Sequence, residues 1–147
     1  MSKGLLGIEE LERADIETIL SRAAFYQPFQ RDVSRRSDAL AGRTVVNLFF
    51  EASTRTRVSF EMAAKRLGAA TVSIQAQGSS VSKGESLVET LNTLVAMWPD
   101  AIIMRHAAPG APHFLSRFLS TPIINAGDGT HEHPTQALLD ARTIMDH

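Results

Sequence analysis

The sequence predicts an α/β fold, a parallel sheet flanked by helices on both faces, and two observations carry that expectation. Short apolar runs rich in β-branched residues alternate with longer stretches whose apolar positions recur at helical spacing. The strand–helix order then repeats along the chain, which is the pattern of βα units stacked into one sheet. At 147 residues the chain has the size of one domain, long enough to bury roughly 68–70% of its unfolded surface.

Residues Ile8 to Tyr26 place Ile8, Leu11, Ile16, Ile19 and Leu20 at helical spacing, with Pro28 marking the exit. Thr44 to Phe50 (TVVNLFF) is β-branched and aromatic, too short for a typical helix and preceded by Gly42, so it reads as a buried strand. Arg55 to Leu67 reads as a helix through Val58, Phe60, Met62, Ala63 and Leu67, closed by Gly68. Ala70 to Ile74 follows as a strand. The alternation continues with Glu85 to Met97 as helix, Ala101 to Met104 as strand and His113 to Leu119 as helix. Pro122 to Asn125 is the last strand and Pro134 to Met145 the last helix. No internal repeat or low-complexity stretch interrupts this order.

Composition excludes several function classes. Hydrophobic residues at 44% and charged residues at 21% fit an ordered globular domain rather than a disordered chain. A net charge of -1 gives no basic field for nucleic acid or an anionic membrane surface, so any anion site must be local. There is no cysteine, which excludes disulfides, thiolate metal ligands and thiol nucleophiles and fits a reducing compartment, the cytoplasm. Met1 to Leu6 is too short an apolar run for a signal peptide, and no stretch is long enough to span a membrane.

In doubly wound sheets ligands bind beyond the carboxyl ends of the strands, and three polar clusters fall there: Glu51 to Arg57, Arg105-His106, and Ala126 to Gln136. Ser53-Thr54-Arg55-Thr56-Arg57 lies between a strand and an amphipathic helix. A helix N-terminus offers unpaired N–H groups and the positive end of its dipole to a phosphate. The hydroxyls of Ser53, Thr54 and Thr56 add donors and Arg55 a fork for phosphate oxygens; taken alone, the cluster also fits a Ser/Thr cap with two solvated arginines. Arg105 offers a second cation from a strand end, or is simply a surface residue; His106 has the same plain alternative and no assigned role. Asn125-Ala126-Gly127-Asp128-Gly129 leads to His133-Pro134-Thr135-Gln136, with Pro134 suited to a first helical turn. His133 could polarise a carbonyl and Gln136 accept from an NH₂ group. A metal at His131-Glu132-His133 is disfavoured, because residues two apart do not share a helical face and no third ligand is evident. Ser79 to Glu85 is a polar loop whose Lys83 and Gly84 suit closure over an anion, and equally suit an ordinary loop.

Together these segments resemble the aspartate and ornithine carbamoyltransferase family. The matching pieces are Phe49 to Arg57 with Ser59-Phe60-Glu61, Lys83-Gly84-Glu85-Ser86, Met104-Arg105-His106, and Asn125 to Asp128 with His133-Pro134-Thr135-Gln136. Thr135, where the ornithine branch usually has cysteine, favours the aspartate branch. The resemblance implies the family's three-layer fold, and transfer of a carbamoyl group from carbamoyl phosphate to L-aspartate, an early step of pyrimidine synthesis. It implies no metal or organic cofactor. It assigns Ser53, Thr54, Arg55 and Thr56 to the phosphate, Thr56, Arg105 and His133 to the carbamoyl oxygen, and Gln136 to the carbamoyl NH₂. Lys83 and a loop serine, Ser79 in preference to Ser80, would reach a neighbouring active site in a homotrimer with shared sites. Regulatory or dihydroorotase-type subunits are partners of some family members. Glu51 would form an ion pair with a second, aspartate-binding domain. Residues 1–147 would be the carbamoyl phosphate-binding domain, without the aspartate-binding one and with little or no turnover by itself. The competing expectations are a phosphate-metabolite binding module without chemistry, and ornithine as acceptor.

Overall fold

The computed structural model describes residues 4–30, 32, 37–75 and 87–147. In chain order the elements are strand β1 (Gly4–Leu5), helix α1 (Arg13–Tyr26), a 3-10 turn (Gln27–Gln30), strand β2 (Thr44–Phe49), helix α2 (Thr54–Arg66) and strand β3 (Ala70–Gln75). Helix α3 (Leu87–Val95), strand β4 (Ala101–His106), helix α4 (Ala111–Ser116), strand β5 (Ile123–Asp128) and helix α5 (Pro134–Met145) follow. The expected α/β alternation is present, and the differences lie at element ends and in β1 and the 3-10 turn, which the sequence pattern does not indicate.

Helix α1 starts at Arg13 rather than Ile8. The Leu11 N–H closes a turn on the Ile8 carbonyl at 3.0 Å, and the Asp15 carboxylate accepts from the Glu12 N–H at 3.1 Å, which fixes the start one turn later. Helix α2 ends as the sequence indicates. Gly68 adopts φ +88°, its N–H donates to Lys65 O and the Ala69 N–H to Ala64 O, a Schellman close. Strand β4 runs on through Arg105 and His106, and β5 through Asp128, so residues expected beyond these strands are their last members. The two-residue β1, too short to show any period, pairs with Ile123 and Ile124.

All strand pairings are parallel, in the order β1-β5-β4-β2-β3. From β2 the chain steps outward to β3, then returns to the opposite side of β2 to lay down β4 and β5. The direction of winding therefore reverses between β2 and β4, and loops leaving the carboxyl ends of these two strands diverge to opposite faces and leave a crevice.

Strand side chains alternate between two cores. Val46, Leu48, Ile102, Met104 and Ile123 meet Leu91 and Leu94 of α3 and Ala111 and Leu115 of α4 on one face. Val45, Phe49, Ile103 and Ala126 meet Ala64 of α2 on the other. Each such fully buried aliphatic or aromatic side chain contributes about 1.5–3 kcal/mol, so the rim between the two layers is held on a rigid base. Among the described residues no helix is long and apolar enough to cross a membrane.

Candidate active site

The crevice at the winding reversal is lined by Ala52, Ser53, Thr54, Arg55, Thr56 and Arg105, with a volume of about 470 Å³. One wall is the N-terminus of α2. Ser53 sits at the cap position but its side chain makes no capping bond, and the first helical bond is Arg57 N–H to Ser53 O at 3.0 Å. The N–H groups of Thr54, Arg55 and Thr56 are thus left without intrahelical acceptors, facing the crevice with the positive end of the helix dipole. Arg55 is exposed, and among the described residues no carboxylate pairs with it. Arg57, by contrast, turns to Glu61 one turn along, at 3.9 Å.

The other wall is built by a β-bulge. Met104 pairs with Asn125 and His106 with Asp128, so Ala126 and Gly127 of β5 stand opposite Arg105 alone. The bulge aims the Ala126 carbonyl at Arg105, whose Nη1 donates to it at 3.0 Å while Nη2 donates to Glu51 Oε1 at 3.2 Å. Two of the five guanidinium N–H groups are thereby used to fix the plane; Nε–H is buried without a partner, and the other two Nη hydrogens stay available for a ligand. Gly127 has φ +113°, and a Cβ there would lie 2.6 Å from Arg105 Nη1 and 3.1 Å from His133 Cδ2. The arginine and the imidazole meet over a glycine because only a glycine leaves them the space.

His133 is the cap residue of α5, with Pro134 starting the helix behind it. Its Nδ1 lies 3.3 Å from Thr135 Oγ1. Burial, then the neighbouring Arg105 charge, push its pKa below the ordinary histidine value. The neutral ring is therefore favoured, and the tautomer in which the Thr135 hydroxyl donates to Nδ1 is the one that would leave an N–H on Nε2 for a ligand. Gln136 donates from Nε2 to Asp140 Oδ1 at 2.8 Å, which leaves its carbonyl oxygen free to accept.

Behind the bulge, Asp128 is fully buried. Its carboxylate accepts from Gly110 N–H (2.8 Å), Glu132 N–H (2.8 Å), Asn125 Nδ2 (3.1 Å) and His131 Nδ1 (3.0 Å). Burial opposes its charge, but these hydrogen bonds outweigh burial and hold the carboxyl below its usual pKa. It is the anchor of the turn that carries His133. Sequence reasoning missed it; the signal present was an Asn and an Asp three apart around the bulge.

A protein-family model for the aspartate/ornithine carbamoyltransferase carbamoyl-P binding domain matches residues 3–146. The chain belongs to the aspartate/ornithine carbamoyltransferase family. Among curated carbamoyltransferases it is 74% identical over 146 residues to the aspartate carbamoyltransferase catalytic subunit of Solibacter usitatus (strain Ellin6076), covering 99% of this chain and 48% of the relative. The aspartate transcarbamoylase of Trypanosoma cruzi, solved with carbamoyl aspartate and phosphate, superposes with a TM-score of 0.90 at 39% identity, covering 99% of this chain and 46% of that one. The same enzyme with carbamoyl phosphate and aspartate gives a TM-score of 0.89 at 39% identity, with 99% and 44% coverage. The chain spans about half the length of the relatives it matches.

Of the residues to which the carbamoyltransferase resemblance pointed, Ser53, Thr54, Arg55, Thr56 and Arg105 line one crevice and His133 stands against Arg105. Gln136 lies on the first turn of α5 behind His133. Ser79, Ser80 and Lys83 lie outside the described residues. Within the domain the Glu51 carboxylate accepts from Arg105, because the bulge brings that guanidinium across the end of β2; the interdomain ion pair expected of Glu51 involves residues beyond those described. His106 serves the loop, its Nδ1 accepting from the Ala108 N–H at 2.9 Å.

Proposed function

We propose that this chain supplies the carbamoyl phosphate half of an aspartate carbamoyltransferase. The activity is condensation of carbamoyl phosphate with L-aspartate to give N-carbamoyl-L-aspartate and phosphate, in pyrimidine biosynthesis. The observation that carries it is the meeting, at the winding reversal, of an unpaired helix N-terminus bearing Arg55 with the Arg105–His133 pair over Gly127.

The phosphate binds to the first-turn N–H groups of α2, the hydroxyls of Ser53, Thr54 and Thr56, and Arg55. Hydrogen bonds to a charged group contribute about 1.5–3 kcal/mol each, so a few suffice for micromolar affinity. Thr56, the unused N–H groups of Arg105 and the His133 imidazole donate to the carbamoyl oxygen, and Gln136 accepts from the carbamoyl NH₂. When the aspartate amine attacks the carbonyl carbon, charge grows on that oxygen, where donors are already in place; removing one costs on the order of 10²–10³ in rate. The tetrahedral intermediate collapses by breaking the bond to the phosphate oxygen, and Arg55 balances charge on the departing phosphate.

The relatives are about twice as long as the segment matched, and in this reading the aspartate carboxylates belong to the unmatched part of such an enzyme. In the same reading Lys83 and Ser79 complete a neighbouring site in a cytoplasmic homotrimer. The experiment is to graft residues 1–147 in place of the matching segment of the Solibacter usitatus relative and assay product formation. Phosphate release that depends on aspartate and not on ornithine is expected. Turnover with ornithine, or none with either amine from a folded graft, refutes the assignment.

A further inference from the structure

We propose that the chain binds one divalent transition-metal ion of the zinc class between α4 and the turn joining β5 to α5, with His113, Asp128 and His131 as ligands. These residues each offer a ligand atom, and the atoms all lie within 4.8 Å of one another. None of them lines the anion crevice, so this site is separate from the one assigned above and does not rest on it.

Two independent features single the cluster out. The first is an imidazole whose ring nitrogens lack a hydrogen bond. Both ring nitrogens of His113 are buried without a hydrogen-bond partner, although Nε2 lies 3.4 Å from Glu10 Oε1. An unpaired buried nitrogen is costly, and such orphans call for an unseen water or ion. The second is a prepared carboxylate. Asp128 is held by the N–H groups of Gly110 and Glu132 and the amide of Asn125, the outer hydrogen bonds that orient a ligating carboxylate. His131 Nδ1 stands 3.0 Å from its Oδ2, and the rings of His131 and His113 meet edge to face at 5.4 Å.

Two imidazoles and a carboxylate are a donor set for zinc and its neighbours rather than for magnesium or calcium, which take oxygen ligands. Glu10 Oε1 or a water supplies a fourth position. The ion takes the place of the proton shared by His131 and Asp128, so binding releases a proton. The ligands come from α4, the end of β5 and the turn beyond it. No short motif announces such a set, and the run His131-Glu132-His133 misleads because His133 faces Gly127. An ion here would tie α4 to the turn that ends at His133.

The test is titration of the chelator-treated chain with Co²⁺, followed by visible absorption, and with Zn²⁺ by calorimetry, using the wild type, His113→Ala and His131→Gln. One ion per chain is expected, with ligand-field bands in the visible. Each substitution should weaken binding by about tenfold or more, and saturating Zn²⁺ should raise the unfolding temperature of the wild type only. No stoichiometric binding by the wild type overturns the proposal, as does equal affinity in the variants, which would place the ion on other histidines. Should His113→Ala fail to fold, His131→Gln decides alone, since that side chain is partly exposed.

Discussion

A Cβ at position 127 would press on both Arg105 and His133, and the residue holds φ +113°, where L side chains are strained. Gly127→Ala should therefore cost about 1–3 kcal/mol of stability by denaturant titration and also weaken carbamoyl phosphate binding; unchanged stability would remove the steric argument. His133 and His131, two residues apart, should titrate in opposite directions from 6.5, His133 below it and His131 above it. Burial, then Arg105, favour the neutral ring of His133, so its contribution weakens stability as pH falls through 6.5. The hydrogen bond to Asp128 favours the charged ring of His131, so its stabilisation is complete below 6.5 and fades as pH rises through the raised value. Proton NMR of the ring resonances against pH gives both midpoints, and the reverse order would contradict the assigned environments. Arg55 and its hydroxyl neighbours were legible in the sequence because they are contiguous at a helix start. Gly127, Asp128 and the Glu51–Arg105 pair were not, because what they do depends on contacts across strands that no local pattern encodes.

At the scale of the element, the turn from β5 into α5 closes on the backbone of Asp128 and is anchored by its buried carboxylate. Asp128→Asn keeps the size, but because the N–H groups of Gly110 and Glu132 donate to different carboxylate oxygens, the amide NH₂ is set against one of them whichever way it turns. The variant should lose roughly 1–3 kcal/mol, read by thermal or denaturant unfolding, with His133 displaced and phosphate binding less affected than at Arg55. Wild-type stability in that variant would mean the carboxylate is not the anchor. Helix α2 was legible at both ends, the start from Ser53-Thr54 and the stop from Gly68. The ends of β4 and β5 were not. Apolar patterning stops at Met104 and Asn125, while the ladders continue through polar residues whose partners are Glu51, Ala126 and the Asp128 network.

At the scale of the molecule, a sheet with a core on each face should unfold as one unit. Ile102→Ala, at a fully buried site on the central strand β4, should cost about 2–5 kcal/mol and shift a single cooperative transition; two separated transitions would show that the layers are independent. That the sheet is parallel was legible in the alternating runs, but the order β1-β5-β4-β2-β3 was not, since periodicity carries no information on which strands are neighbours. Yet that order creates the crevice, because it sets the carboxyl end of β2 beside that of β4 where the winding reverses. Phosphate recognition at this point is the central claim, and calorimetric titration of the chain with carbamoyl phosphate, beside Arg55→Ala, tests it most directly. Saturable binding by the wild type, weakened in the variant by about tenfold or more for the loss of a charged hydrogen-bonding partner, is the predicted result. Equal affinity in the two proteins, or no binding by the folded wild type, would contradict it.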